Sequence, residues 1–266
     1  MAGLGLFCGC VQTTPYDVDA DRSDFVKENL AELRAREPPP RPFRFVAISD
    51  THDEYDDFAS TIDLLNARHD LELVTHSGDI SDRGLLQEME WSFDLLERIR
   101  VPVLIALGNH DAISNGAEIW RKMFGPFDYA FEFGGLKFVF FNGNALEFPG
   151  AAPNRDWLRS QVDDLGGARS VVLVSHHPMY TYDDIAGQNT RAFYEELLAT
   201  GRVGLWISGH ETPPKFLSYR GIPLLGCGTF QETREYWVVT VDGTEFSFEK
   251  CHFGDCTPEL PAVLVP

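Results

Sequence analysis

The sequence predicts a single large α/β domain, and two patterns carry this prediction. Short, almost continuously apolar runs recur along the chain, and segments with helical spacing of apolar residues lie between several of them. Such runs are typical of strands buried on both faces, and the order strand–helix–strand indicates a parallel sheet. The 266 residues are 44% hydrophobic, which provides for a substantial core and excludes wholesale disorder.

The predicted elements follow from these periodicities. Five apolar runs are predicted as strands of the parallel sheet: residues 43–49, 71–77, 101–107, 170–175 and 202–208. Helical spacing predicts helices over residues 54–68, 85–99, 153–164 and 190–199. Shorter strand-like runs predict antiparallel additions or a second sheet: residues 128–133, 136–141, 215–219, 222–226, 235–241 and 245–249.

The chain divides into a main domain with a segment at either end. We predict an N-terminal tail over residues 1–21, a helix and a proline-rich lead-in over 22–41, the domain over 42–250 and a C-terminal tail over 251–266. Three consecutive prolines end the first helix and mark the start of the domain. Cys251 and Cys256 are compatible with a disulfide or with two free thiols.

The first ten residues allow two interpretations of localisation. A short apolar run, a small residue and Cys10 together resemble a bacterial lipoprotein cleavage box. Lipidation of Cys10 would tether the protein to a membrane outside the cytoplasm. The alternative is a frayed terminus on a cytoplasmic protein, since no basic region precedes the apolar run. No apolar run reaches the roughly 20 residues that a membrane-spanning helix needs.

The charge balance disfavours nucleic acid as a partner. The chain has 22 Lys and Arg residues against 41 Asp and Glu residues, a formal net charge of −19. Binding along a nucleic-acid strand depends on lysine and arginine side chains that neutralise phosphates. If the substrate carries phosphate, we therefore expect its charge to be met locally by one or two side chains or by metal ions.

Metal-competent side chains follow each of the five main predicted strands. They are Asp50 and His52, Asp79, Asn109 with His110 and Asp111, His176, and His210. Because ligands bind beyond the carboxyl ends of strands in open α/β sheets, we expect these side chains to meet at one edge. Carboxylate, imidazole and amide ligands suit Mn, Fe, Zn, Co or Ni. A pair of such cations can clamp a phosphoryl group and hold a bridging hydroxide.

The motifs resemble those of the calcineurin-like metallophosphoesterase superfamily, in its motif order, over about residues 43–250. They are Asp50-x-His52, Gly78-Asp79, Gly108-Asn109-His110-Asp111, His176-x-Pro178 and Gly209-His210. The resemblance implies a four-layer α/β/β/α sandwich around two divalent metal ions. The tail also shows a weaker likeness to secreted, lipid-anchored bacterial members.

The resemblance also implies roles for these residues. Asp50, His52 and Asp79 would bind the first metal, and Asp79, Asn109, His176 and His210 would bind the second. His110 would stabilise charge or donate a proton to the leaving oxygen, oriented by Asp111. The segment Gly78 to Gly84 is similar to the protein-phosphatase form of its motif. Arg83 within it either contacts a substrate phosphate or pairs with an acid such as Asp82.

One position departs from the family pattern. The last motif is Gly-His-x-His in the family, whereas this chain has Thr212 at the final position. A hydroxyl is a far poorer ligand than an imidazole, so the first metal site is expected to be weak unless Glu211 or His252 substitutes. Two functions therefore stay open: a metal-dependent hydrolase of phosphate mono- or diesters, and a catalytically weakened metal-binding protein of the same fold.

Overall fold

Two β-sheets lie face to face at the centre of the fold, with helices on their outer faces. The structure is a computed structural model that describes residues 14–36, 39, 41–180 and 189–263. Aromatic rings meet between the sheets: Phe45 lies 5.6 Å from Phe138, and Phe216 lies 5.2 Å from Trp237. The predicted α/β sandwich is therefore confirmed.

The elements match the predicted periodicities closely. In chain order they are α1 Phe25–Ala35, β1 Phe43–Ile48, α2 Tyr55–Ala67, β2 Leu71–His76, α3 Leu86–Leu96, β3 Val103–Ile105, α4 Asn109–Ala112, α5 Gly116–Met123, β4 Tyr129–Phe133, β5 Leu136–Phe140, α6 Arg155–Asp163, β6 Ser170–Val174, α7 Thr190–Ala199, β7 Val203–Ser208, β8 Phe216–Tyr219, β9 Ile222–Gly226, α8 Phe230–Thr233, β10 Glu235–Asp242, β11 Glu245–His252, β12 Asp255–Glu259 and β13 Ala262–Val263. The short helices α4, α5 and α8 and the strands β12 and β13 are additions to the prediction.

Both sheets are mixed, with parallel strands at their centres. The first sheet has the strand order β12-β11-β10-β1-β2-β3, and the second has the order β13-β8-β9-β7-β6-β5-β4. Strands β1, β2 and β3 are parallel, as are β5, β6, β7 and β9. Because parallel strands end at the same edge, the loops after β1, β2 and β3 face those after β6 and β7 across the sandwich.

Each outer helical layer buries its apolar face on one sheet. Phe58 and Ile62 of α2 pack in the same core as the strands of the first sheet. Leu158 of α6 and Leu197 of α7 pack against the second sheet, around Leu173 of β6. Apolar residues at helical spacing thus cover the outer faces of both sheets.

The N-terminal helix is part of the folded core. Phe25, Val26 and Leu33 of α1 are buried, and the side-chain oxygen of Asn29 accepts a hydrogen bond from the Val103 amide at 2.7 Å. The segment predicted as a lead-in to the domain therefore packs against the first sheet. Cys10, the predicted lipidation site, lies outside the described residues. Among the residues that the structure describes, no helix has the length and apolar character needed to cross a bilayer.

The first sheet continues beyond the predicted end of the domain. Strand β11 runs through residue 250, and β12 lies inside the segment predicted as a tail, so this boundary is corrected. Cys251 and Cys256 are cross-strand neighbours joined by a disulfide. Strand β12 is an edge strand whose side chains are mostly exposed. It carries no apolar alternation, which is why hydrophobic periodicity did not predict it.

Candidate metal centre

Four side chains meet where β6 and β7 approach the first sheet. The Nε2 atom of His176 lies 2.8 Å from Asn109 Oδ1, 3.2 Å from His210 Nδ1 and 3.2 Å from Asp79 Oδ2. His210 Nδ1 lies 3.1 Å from Asn109 Oδ1. The four residues predicted for the second metal are thus gathered around one point.

The donor atoms of this group fit a divalent cation. His176 Nδ1 donates a hydrogen bond to the Ser77 carbonyl at 2.9 Å, which leaves Nε2 as the lone-pair atom of the neutral ring. Lone pairs of an imidazole, an amide and a carboxylate therefore converge. Ligand atoms bound at about 2.1 Å to one cation lie about 3 Å apart, the spacing found among these atoms.

The two oxygens of Asp79 have different partners. Oδ1 accepts a hydrogen bond from the His110 amide at 2.9 Å. Oδ2 lies 3.6 Å from His52 Nε2 on one side and 3.2 Å from His176 Nε2 on the other. One carboxylate oxygen is thereby held between the imidazoles predicted for the first and second metals.

Asp50 joins the two sheets at this edge. Its side chain is buried, and its two oxygens accept hydrogen bonds from the His210 amide at 3.2 and 3.0 Å. Asp50, Asp79 and His176 each offer a ligand atom within 4.8 Å of the others. All six predicted ligands therefore lie in one connected cluster.

The backbone is strained at four of these ligands. The φ angles of Asp50, His52, Asp79 and His210 are 54°, 44°, 56° and 73°. A left-handed conformation of a non-glycine residue costs about 1–3 kcal/mol and is concentrated at functional sites. Each of these residues therefore lies in a strained turn at the end of a strand, and the turn directs its side chain toward the cluster.

Two glycines allow the loops to approach each other. A Cβ atom on Gly108 would lie 2.0 Å from Asp79 Oδ1. A Cβ atom on Gly209 would lie 2.0 Å from Ser49 Oγ and 2.4 Å from Asp50 Oδ2. A side chain at Gly108 or Gly209 would collide with these neighbouring atoms. Both positions therefore need glycine for the loops of the cluster to pack.

The cluster holds paired charges in a buried setting. Burial opposes both charges, yet the Asp79 and Asp50 carboxylates raise the pKa of His176 to about 9, and His176 in turn lowers the pKa of Asp79. Burial and the charge of Asp79 raise the pKa of Asp50 to about 7. A proton on His176 and a bound cation would compete for the same imidazole nitrogen, because a ligating imidazole must be neutral.

The prediction that Asp111 orients His110 is wrong. His110 Nδ1 donates to the carbonyl oxygen of Asp82 at 2.7 Å. The Asp111 carboxylate instead accepts hydrogen bonds from the amides of Asp79, Ile80, Ser81 and Gly108 and from the Ser81 hydroxyl, at 2.8–3.0 Å. Burial and the charge of Asp79 raise its pKa to about 6. Asp111 therefore fixes the two loops that carry Asp79 and Asn109.

Asp82 is a site residue that the strand-end pattern missed. Its Oδ1 atom lies 3.8 Å from both His52 Nδ1 and His110 Nδ1, and the three residues form a second possible cation-binding group. Its Oδ2 atom pairs with Arg83 Nη2 at 3.0 Å, which is the second of the two roles considered for Arg83. The sequence feature that could have identified Asp82 is the segment from Gly78 to Gly84, which resembles the protein-phosphatase motif and contains both Asp82 and Arg83.

Thr212 does not offer its hydroxyl to the cluster. The hydroxyl is hydrogen-bonded to that of Thr229. Glu211 pairs with Lys215 at 3.0 Å, and exposed His252 lies on β11, two strands away from β1. Neither residue belongs to a group of potential ligands in the described part of the chain. In the described residues, neither of the two substitutes considered for the imidazole therefore joins the cluster.

His177 is a further imidazole at this edge. Its ring is buried and lies 4.1 Å from the ring of His210 and 5.1 Å from that of His176. Burial, followed by the charge of His176, keeps its pKa well below the usual value, so His177 is neutral. It shapes the wall of the His176–His210 cluster, as its place beside His176 in the sequence indicates.

Comparison with known proteins agrees with the fold and the cluster. The family model of the calcineurin-like phosphoesterases matches residues 43–214. The chain belongs to this family. It is thus a metal-dependent phosphoesterase, and its buried histidines and aspartates offer ligands for divalent metal. No curated protein sequence matches the chain.

Solved structures of two distant proteins share the fold of this phosphoesterase. GAP50, the anchor in the inner membrane complex of Plasmodium, superposes with a TM-score of 0.64 at 14% identity, over 84% of this chain and 90% of that one. The purple acid phosphatase PPD1 from yellow lupin (Lupinus luteus) seeds has a TM-score of 0.64 at 12% identity, over 84% of this chain and 54% of that one. This chain thus spans about half the length of the lupin enzyme. At these identities the comparison concerns the fold alone.

Proposed function

We propose that the protein hydrolyses a phosphate ester at a centre that holds two divalent cations. The position of Asp79 Oδ2, 3.6 Å from His52 Nε2 and 3.2 Å from His176 Nε2, is the observation that carries this proposal. Asp50, His52 and Asp79 would hold the first cation, and Asp79, Asn109, His176 and His210 the second. When bound, the cations supply a nucleophile from water and neutralise the charge of the phosphoryl oxygens.

The protein's own groups would position the substrate and manage the leaving group. His110 lies beside His52, with ring centroids 4.9 Å apart, and its ring is partly exposed. Because Nδ1 is held by the Asp82 carbonyl, the other ring nitrogen is the one that can carry a proton to the leaving oxygen. Arg83 lies at the exposed rim and is paired with Asp82, so it would contact the entering phosphate only by leaving this ion pair.

A small phosphorylated molecule is the substrate that fits these groups. The net charge of −19 disfavours a nucleic-acid strand as substrate, so the positive charge that meets the phosphate would be local to the cluster and Arg83. We place both phosphomonoesters and phosphodiesters in this class, with Mn, Fe, Zn, Co or Ni as the metal.

The proposal is tested by assaying chelator-treated protein against mono- and diesters, with each divalent metal added in turn. We expect hydrolysis to be lost after chelation and restored by at least one of these metals, with about two ions bound per chain at saturation. Hydrolysis that persists in metal-free protein would contradict the proposal. So would the absence of turnover with every metal and ester.

Thr212 supports a second candidate, a weakened metal-binding protein of the same fold. Its hydroxyl is engaged by Thr229, so the first cation would have one protein ligand fewer. We expect Thr212→His to tighten the weaker cation site about tenfold, because imidazole is a much better ligand than a hydroxyl. Metal titration calorimetry measures this change directly.

The rate of the same variant separates the two candidates. A large gain in rate at saturating metal would show that the native centre is impaired, whereas an unchanged rate would indicate a working enzyme adapted to Thr212. Thr212→Ser keeps the hydroxyl and is the matched control, for which neither affinity nor rate should change. Unchanged metal affinity in Thr212→His would contradict the idea of a weak first site.

A further inference from the structure

An aromatic cleft lies between α2 and α3. It has a volume of about 470 Å³ and is lined by Tyr55, Asp56, Ala59, Trp91, Asp94, Leu95 and Arg98. Trp91 is 49% exposed, and its ring meets that of Tyr55 edge to face, with centroids 5.4 Å apart. Exposed tryptophan in a concave site favours binding of a ligand, because its large apolar face gains most from being covered.

Both helices that form the cleft begin near the rim of the metal centre. Helix α2 begins at Tyr55, three residues after His52, and three residues span at most about 11 Å. At the start of the other helix, Arg83 Nη2 lies 3.0 Å from Asp82 Oδ2 and Nη1 lies 3.6 Å from Glu88 Oε1, in the first turn of α3. Burial, with the nearby charges of Glu88, Asp53 and Asp82, raises the pKa of Tyr55 to about 12. Its phenol therefore stays neutral beside this rim.

The charges of the cleft define the group that fits it. Asp56, Asp94 and Arg98 line it. Asp94 is paired with Arg22, and Arg98 Nη2 lies 3.3 Å from Asp63 Oδ1, so the carboxylate of Asp56 sets the charge that a ligand meets and disfavours a second phosphate. Carboxylates accept hydrogen bonds from amino groups, and the face of an indole stacks on planar rings. If the phosphate lies at the metal centre, a planar ring bound in the cleft must be joined to the ester oxygen by a spacer.

We propose that this cleft binds the leaving group of the substrate, and that the leaving group is an uncharged heteroaromatic ring on a spacer, as in a nucleoside. Trp91 stacks on the face of the heteroaromatic ring, and Tyr55 contacts the edge of that ring. The Asp56 carboxylate accepts hydrogen bonds from the amino groups of the ring. The phosphate then lies at the Asp79 cluster. This assignment rests on the proposed phosphoesterase function and adds the substrate class.

The first test compares a nucleoside 5′-monophosphate with glycerol phosphate, or the corresponding diesters if only diesters react. We expect Trp91→Ala to raise KM for the nucleotide about tenfold, the scale of one lost base–aromatic stack, with kcat and the glycerol phosphate kinetics unchanged. Trp91→Phe should retain most of the nucleotide affinity. Leu64→Ala, an exposed residue on α2 that does not line the cleft, is the matched control and should change neither substrate.

The second test does not depend on hydrolysis. Adenosine, which carries no phosphate, is measured by equilibrium dialysis against wild-type, Trp91→Ala and Leu64→Ala proteins in chelator. Binding to wild type and Leu64→Ala, with a tenfold loss in Trp91→Ala, supports the cleft even if no ester is turned over. In that case only the proposed function has failed. Ester hydrolysis without adenosine binding, or an equal effect of Trp91→Ala on both esters, overturns the inference.

Discussion

Replacing Asp79 by Asn is expected to abolish hydrolysis while the protein stays folded. The amide oxygen can still accept from the His110 amide, which now bonds to Oδ1 at 2.9 Å. The amide nitrogen would then take the place of Oδ2 between His52 and His176, and a donor there cannot bind a cation. Loss of an outer-shell partner already costs about 10–100-fold in metal affinity or activity, so loss of a direct ligand should lower kcat/KM by more than about a hundredfold.

Metal content and stability distinguish this result from unfolding. Asp79→Asn should bind less than one cation per chain in calorimetry, with an unchanged circular dichroism spectrum and cooperative urea unfolding. Asp128→Asn makes the same change at a partly buried carboxylate that accepts from the Asn142 amide and belongs to none of the potential metal-binding groups in the described residues. This control should keep its activity and bound metal. Turnover by Asp79→Asn on every ester that wild type hydrolyses would refute the bridging role.

The residues of the cluster were predictable because their signal is local. A metal-competent residue directly follows each buried strand, and parallel strands bring such residues to one edge whatever the details of the loops. Thus the meeting of Asp50, Asp79 and His176 at one edge could be predicted without knowing any contact. The main strands and helices were predictable for the same reason, since burial imposes a period that each segment shows by itself.

The parts that could not be predicted depend on partners far along the chain. Asp82 belongs to the site through His52 and His110, which lie on different loops. Strand β12 depends on pairing with β11 rather than on an apolar pattern of its own. The fate of the Thr212 hydroxyl is likewise set by Thr229, seventeen residues away. Spacing within a motif contains no information about such pairs.

Replacing Asp111 by Ala is expected to destabilise the protein and to weaken metal binding together. The side chain is fully buried, and its removal leaves the amides of Asp79, Ile80, Ser81 and Gly108 without their acceptor. Removing one partner of a buried charged network costs about 3–5 kcal/mol, which should appear as a lower urea midpoint. Metal affinity should fall as well, because these amides hold the loops that carry Asp79 and Asn109.

A matched pair of variants shows whether Asp111 acts through the loops or through His110. Asp128→Ala removes a carboxylate that accepts one backbone hydrogen bond and should cost only about 1 kcal/mol. Asp111→Asn keeps an oxygen for Ile80 and Ser81 and should lie between Asp111→Ala and wild type in both stability and metal affinity. If Asp111 only oriented His110, Asp111→Ala would keep its urea midpoint and bound metal and would lose rate alone. Because the His110 ring is held by the Asp82 carbonyl, we expect the opposite order, with stability and metal lost first.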